Sequence, residues 1–214
     1  MRQRTSSSLG SLVSVMPRNL PKKAKISHAF TSAMEERPAL AVYIARVATG
    51  WSRIEERIGF LIVELLGAEA HTGMKMYQAL SGSAAQQAVL RAVARDRLSR
   101  AMQDELEEIL QAFKNAARKR NKVVHGIWHF SEALPDALVW CDSADSLLSH
   151  SEFWTGWNSH KTEADQVAWA LSAKASRPPH YLTYDQRDFE EILMEMQDVL
   201  HLLVQFVIKC QKAN

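Results

Sequence analysis

One apolar pattern leaves this chain little choice of fold. In RPALAVYIARVATGWSRIEERIGFLIVELLG, residues 37–67, the residues Leu40, Tyr43, Ile44, Val47, Trp51, Ile54, Ile58, Leu61, Ile62 and Leu65 recur at steps of three and four. That spacing stacks side chains along one face of an α-helix. The pattern starts at Pro38, and Gly67 is placed to end it as a C-terminal cap. Two more stretches carry the same period. In SRAMQDELEEILQAFKNAARKRNKVVHG, residues 99–126, the stripe is Met102, Leu106, Ile109, Leu110, Phe113, Ala117 and Val124. Its acids come first (Asp104, Glu105, Glu107, Glu108) and its cations last, the order a helix dipole favours. Gly126 is the expected left-handed terminator, with His125 in the last turn. The third stretch, TYDQRDFEEILMEMQDVLHLLVQFVIKCQ, is expected to open on a capping box of Thr183 and Gln186. It carries Phe189, Ile192, Leu193, Met196, Val199, Leu200, Leu203 and Phe206.

The segments between are weaker. Residues 71–80 read as a short helix or turn. Ser83, with Gln86 three positions on, predicts a capped helix running to about Leu98. The stretch IWHFSEALPDALVWCD reads as a β-hairpin or extended loop, and 143–180 as irregular, helical only near 161–171. The expected fold is therefore all-α: a bundle of four or five helices over residues 37–214, with an irregular or short β-hairpin insertion at about 128–180, before the last helix. No solenoid repeat is present.

Charge divides the chain unevenly. Residues 1–34 hold six basic side chains (Arg2, Arg4, Arg18, Lys22, Lys23, Lys25) and no acid, leaving 20 basic against 24 acidic groups in the rest, a net of −4. The body is not a broadly basic nucleic-acid binder, so any polyanion site must be local. Residues 1–36 are expected to form a disordered basic tail. Their Ser- and Arg-rich composition also suits an organelle transit peptide, and Met16 offers a second start. Two cysteines make no disulfide framework and predict reduced thiols and a cytoplasmic setting. No apolar run reaches spanning length, so no membrane partner is expected.

The densest local positive charge is in RKRNKVVHG, residues 118–126. Its bland reading is a basic helix end facing the negative pole of the dipole. Its chemical reading is RNA cleavage without a metal. The 2′-hydroxyl must lose a proton, the leaving 5′-oxygen must gain one, and the phosphoryl oxygens must be stabilised. His125 is the acid–base type and Arg120 the phosphate clamp. Asn121, four residues before His125, shares its helix face and is placed to orient the imidazole or bind substrate. Arg118, Lys119 and Lys122 would guide the RNA backbone. On a regular helix Arg120 and His125 lie about 140° apart, so either the last turn distorts or the arginine reaches round. A His125–His129 metal pair lacks a third ligand, and no metal or other cofactor is expected. Trp128, Trp140, Trp154 and Trp157 read as packing groups ahead of base-stacking ones. Glu55 and Glu56 read as a solvated face before cleft groups.

Arg120, Asn121 and His125, at the end of a bundle helix, resemble the signature of the HEPN superfamily (higher eukaryotes and prokaryotes nucleotide-binding domains). That signature is an Arg, usually followed by Asn, Asp or His, with a His four to six residues after the Arg. The resemblance covers roughly residues 38–212. It implies a metal-independent endoribonuclease acting in a toxin–antitoxin, defence or RNA-processing setting, with RNA and an antitoxin or regulatory protein as partners. It also implies a homodimer that pairs two motifs; the chemistry alone asks for a second acid–base group as well. Members that have lost activity act as binding modules, so the alternative is a non-catalytic helical module for nucleotide, nucleic acid or a partner protein.

Overall fold

The computed structural model describes residues 17–26, 32–172 and 179–213. In chain order the elements are β1 (Arg18–Asn19), α1 (Ala33–Glu36), α2 (Pro38–Leu66), α3 (Ala70–Ala79), α4 (Ser83–Arg97), α5 (Arg100–His125), β2 (Ile127–His129), β3 (Ala137–Cys141), α6 (Ser143–Ser159), α7 (Glu163–Ser172), β4 (Tyr181–Asp185) and α8 (Gln186–Ala213).

The three long stripes form the centre. Val47, Ile54, Leu61 and Ile62 of α2, Leu106 and Leu110 of α5, and Phe189, Leu203 and Phe206 of α8 are almost fully buried, with Leu90 of α4 beside them. Pro38 sits in the first turn of α2, where its missing N–H leaves no bond unmade, and Gly67 ends the helix at φ 61°. Ser99 caps α5 by accepting from the Met102 N–H. On the apolar stripe of α5 it is Val123, not Val124, that is fully buried. The mostly helical expectation holds, but the fold is not all-α.

A four-stranded antiparallel sheet, in the order β1-β4-β3-β2, closes one side of the bundle. Leu138, Trp140, Leu182 and Tyr184 join the main core. Trp128 meets Tyr184 edge-on at 5.2 Å and leans on Phe189 at 5.7 Å, which binds the sheet to α8. The β-hairpin expected at 127–142 is thus the β2–β3 pair. The expected helix start at 183 is instead strand β4. The capping box lies two residues later: Asp185 accepts from the N–H groups of Arg187 and Asp188, and Asp188 accepts from the Asp185 N–H. Ser83 is likewise the first residue of α4 rather than its cap, which is Gly82 at φ 86°. Residues 143–159, expected to be irregular, are helix α6, capped by Asp142.

Much of the expected disordered tail, at 1–16 and 27–31, lies outside the described residues. Within the tail, β1 pairs with β4, and α1 is capped by Ser32 with Glu35 in a capping box. Arg18 pairs with Asp185 and approaches Asp188 at 3.8 Å. Burial pushes the Asp185 carboxyl up, but the Arg18 bond and the N–H bonds from Asp188 and Arg187 outweigh it and hold the carboxyl below its ordinary value. Asp188 moves the other way, raised chiefly by burial, although Arg18 pulls it down too. Arg18 therefore favours the ionised form of both carboxyls. Through Asp185 its contribution is present above the ordinary aspartate range and is lost as pH falls through that carboxyl's lowered value; through Asp188 it is lost earlier, as pH falls through a raised one. Arg18→Gln is expected to lower stability at pH 7 by up to about 1 kcal/mol, given that Arg18 is largely exposed. The difference should fade on acidification. Thermal melts of both proteins across acid pH check this, and a gap that stays constant down to acid pH would refute it.

Candidate active site

The end of α5 is built by two indoles. Gly126 donates its N–H to the Lys122 carbonyl at 3.1 Å. Trp140 Nε1 donates to the same carbonyl at 2.7 Å, and Trp128 Nε1 donates to the Val123 carbonyl at 3.0 Å. The indoles of β2 and β3 thus add donors where the helix's own hydrogen-bond ladder runs out. Gly126 itself is extended, with φ −78° and ψ 161°, and not left-handed as expected. Glycine is needed there for space: a Cβ would fall 2.7 Å from Trp140 Cε2 and closer still to Nε1 and Cδ1. Trp128 and Trp140 are therefore structural. Trp157 stacks on Phe153 at 6.0 Å, while Trp154 is 52% exposed.

Helix α5 runs unbroken to His125, so the arginine reaches round. Arg120 Nη1 lies 3.4 Å from His125 Nε2 and donates to Asn121 Oδ1 at 3.0 Å. For Nε2 to accept from the guanidinium, the imidazole proton must sit on Nδ1. Asn121 thus touches Arg120 rather than the imidazole. The guanidinium lies 5.9 Å above the Trp51 ring, whose Nε1 donates to Glu55 Oε1 at 2.8 Å. Arg120 is half-buried, its Nε has no hydrogen-bond partner, and no carboxylate pairs with it among the described residues. His125 is exposed. The arrangement offers an unneutralised cation beside an accessible imidazole, which suits an anionic substrate.

The other three cations lie elsewhere. Lys119 pairs with Glu191 at 3.3 Å and with Glu195. Burial works against its charge, but the two carboxylates raise its pKa overall. Arg118 donates to Asn115 Oδ1 at 2.7 Å, and the Lys122 ammonium lies 5.9 Å from the Trp140 ring. All three line a cavity of about 630 Å³ between α5 and α8 that Arg120, Asn121 and His125 do not line. The sequence cluster is thus divided between a motif and a cavity wall.

Trp51 is the site residue that sequence reasoning missed. It reads as one more apolar position of α2, and only the packing of α2 against α5 brings it under Arg120. His129 lies on β2 with its ring against Tyr181 at 5.9 Å, so the i, i+4 relation to His125 ends with the helix. Burial, helped by Asp145 and Asp142, pushes the Cys141 thiol up to about 11, so it is not a nucleophile at neutral pH. The chain matches no protein family, no curated protein and no solved structure. Among the described residues no helix is long and apolar enough to cross a membrane.

Proposed function

We propose that this chain is a metal-independent endoribonuclease, as the HEPN resemblance implies. The observation that carries the reading is the Arg120 guanidinium, seated on Trp51, unpaired with any carboxylate among the described residues and 3.4 Å from the exposed His125 imidazole. In the reaction the 2′-oxygen of RNA attacks the adjacent phosphorus, its proton passing to one imidazole. The P–O5′ bond breaks, and the leaving oxygen takes a proton from a second imidazole. Arg120 stabilises the charge that builds on the phosphoryl oxygens. Asn121 holds Arg120 in place. One chain supplies one such histidine, so the second comes from a two-fold homodimer. Lys122 and Arg118 would meet RNA only where it extends beyond the motif, and Lys119 is engaged by two carboxylates. A toxin–antitoxin or defence setting, a regulatory protein partner and a cytoplasmic location belong to this reading.

Purified protein is expected to cleave RNA in the presence of EDTA and to leave 2′,3′-cyclic phosphate and 5′-hydroxyl ends. Cleavage that disappears with chelator would overturn the mechanism.

A second reading rests on a different observation. Helices α6 and α7 form a hairpin off the sheet with Leu147, Leu148, Trp154 and Val167 exposed. Exposed apolar surface of this kind marks a docking site, which suits a non-catalytic binding module. RNA cleavage that survives loss of His125 as a contaminant activity would favour it.

A further inference from the structure

The cavity between α5 and α8 has the size of a small-molecule site. Its walls carry opposite charge. On the α8 side Asp188 lines it with a side chain only 1% exposed. Asp188 Oδ2 accepts from the Asp185 N–H at 2.8 Å, while Oδ1 has no hydrogen-bond partner among the described residues. A buried carboxylate oxygen without a donor is costly, and the open cavity is where a donor can come from. Glu191 and Glu195 both pair with Lys119, Arg18 approaches Asp188 at 3.8 Å, and Asp198 has no ion pair among the described residues, so acidic groups predominate on this wall. On the α5 side Arg118 and Lys122 line the same cavity, and neither pairs with a carboxylate among the described residues. Tyr184, Ile192 and Leu202 also line the cavity and offer apolar surface.

We propose that this cavity binds a small zwitterion: a protonated amine that donates to Asp188, an apolar middle, and a carboxylate or phosphate held by Arg118 and Lys122. A lone amine would leave the two cations unanswered. A lone anion would leave Asp188 Oδ1 unanswered and would face the acidic wall. Only a ligand with both ends meets both walls. The site is separate from Arg120 and His125 and does not rest on the ribonuclease reading.

The test is an NMR and thermal-shift titration of the full chain. The probes are ω-amino acids of increasing chain length and the matching aminoalkyl phosphates, with hexylamine and hexanoate as single-charge controls. At least one zwitterion is expected to raise Tm and to shift α5 and α8 resonances, with either control about tenfold weaker or worse. The series that binds identifies the anionic end. Asp188→Asn and the double change Arg118→Gln, Lys122→Gln should each weaken binding by about tenfold or more. Asp188 also caps α8, so a second variant, Leu202→Trp, fills the cavity from its partly exposed wall and should abolish binding without disturbing the cap. Binding of hexylamine or hexanoate as tightly as the zwitterions would overturn the proposal. So would binding that survives Leu202→Trp, or no binding of any probe.

Discussion

His125→Ala is expected to reduce RNA cleavage by about 10²–10⁴-fold, the range for loss of a positioned acid–base group, while leaving the fold intact. The side chain is exposed in the last turn of α5 and meets Arg120 only at a long 3.4 Å among the described residues, so its removal uncovers no core. The Tm should move by no more than a surface substitution allows. Arg120→Gln should reduce cleavage to a similar degree, because Gln cannot supply the charged fork. It should also cost some stability, since the guanidinium is half-buried on Trp51. Cleavage unchanged in His125→Ala would end the ribonuclease proposal.

The largest stability effect is expected from a single methyl group at Gly126. A Cβ there would overlap the Trp140 indole. That ring has nowhere to go: it is 5% exposed, it donates to the Lys122 carbonyl, and its strand is held on both sides through Trp128 and Leu182. Overpacking alone costs about 1–3 kcal/mol, and a buried indole N–H pushed off its acceptor adds about 1–3 kcal/mol. Gly126→Ala should therefore lose roughly 3–5 kcal/mol, a large part of the whole stability of a domain. Gly67→Ala is the control. Nothing lies within 4 Å of its Cβ, so only the left-handed backbone is strained, at about 1–2 kcal/mol. Urea denaturation of both variants, followed by tryptophan fluorescence, checks the order. Equal losses would show that the indole is not the obstacle.

What the sequence disclosed followed from periodicity. Helices α2, α5 and α8 bury one continuous stripe each, so their apolar residues repeat at helical steps and their ends carry Pro38, Gly67 and Ser99. Helix α6 buries no residue, so it has no stripe to read. Strand β4 was hidden by coincidence: Thr183 and Gln186 have the spacing of a capping box, yet Asp185 and Asp188 form the real one. At the site, Arg120 and His125 were legible because both belong to one helix. Trp51 was not, because its role depends on which helix packs against which. The run 118–122 misled in the opposite sense. Neighbours along a helix point in different directions, and Lys119 meets Glu191 and Glu195, partners that only the fold brings near.

The register of β3 and β4 has a consequence for how this chain tolerates change. Cys141 and Tyr181 are opposed partners at the ends of adjacent antiparallel strands. From the sheet's side, everything from 142 to 180, helices α6 and α7 included, enters and leaves as a hairpin loop does. Loops at such points can lengthen at small entropic cost. The excursion is therefore a replaceable part: it can be exchanged for a short turn or another domain while the sheet, the end of α5 and His125 keep their places.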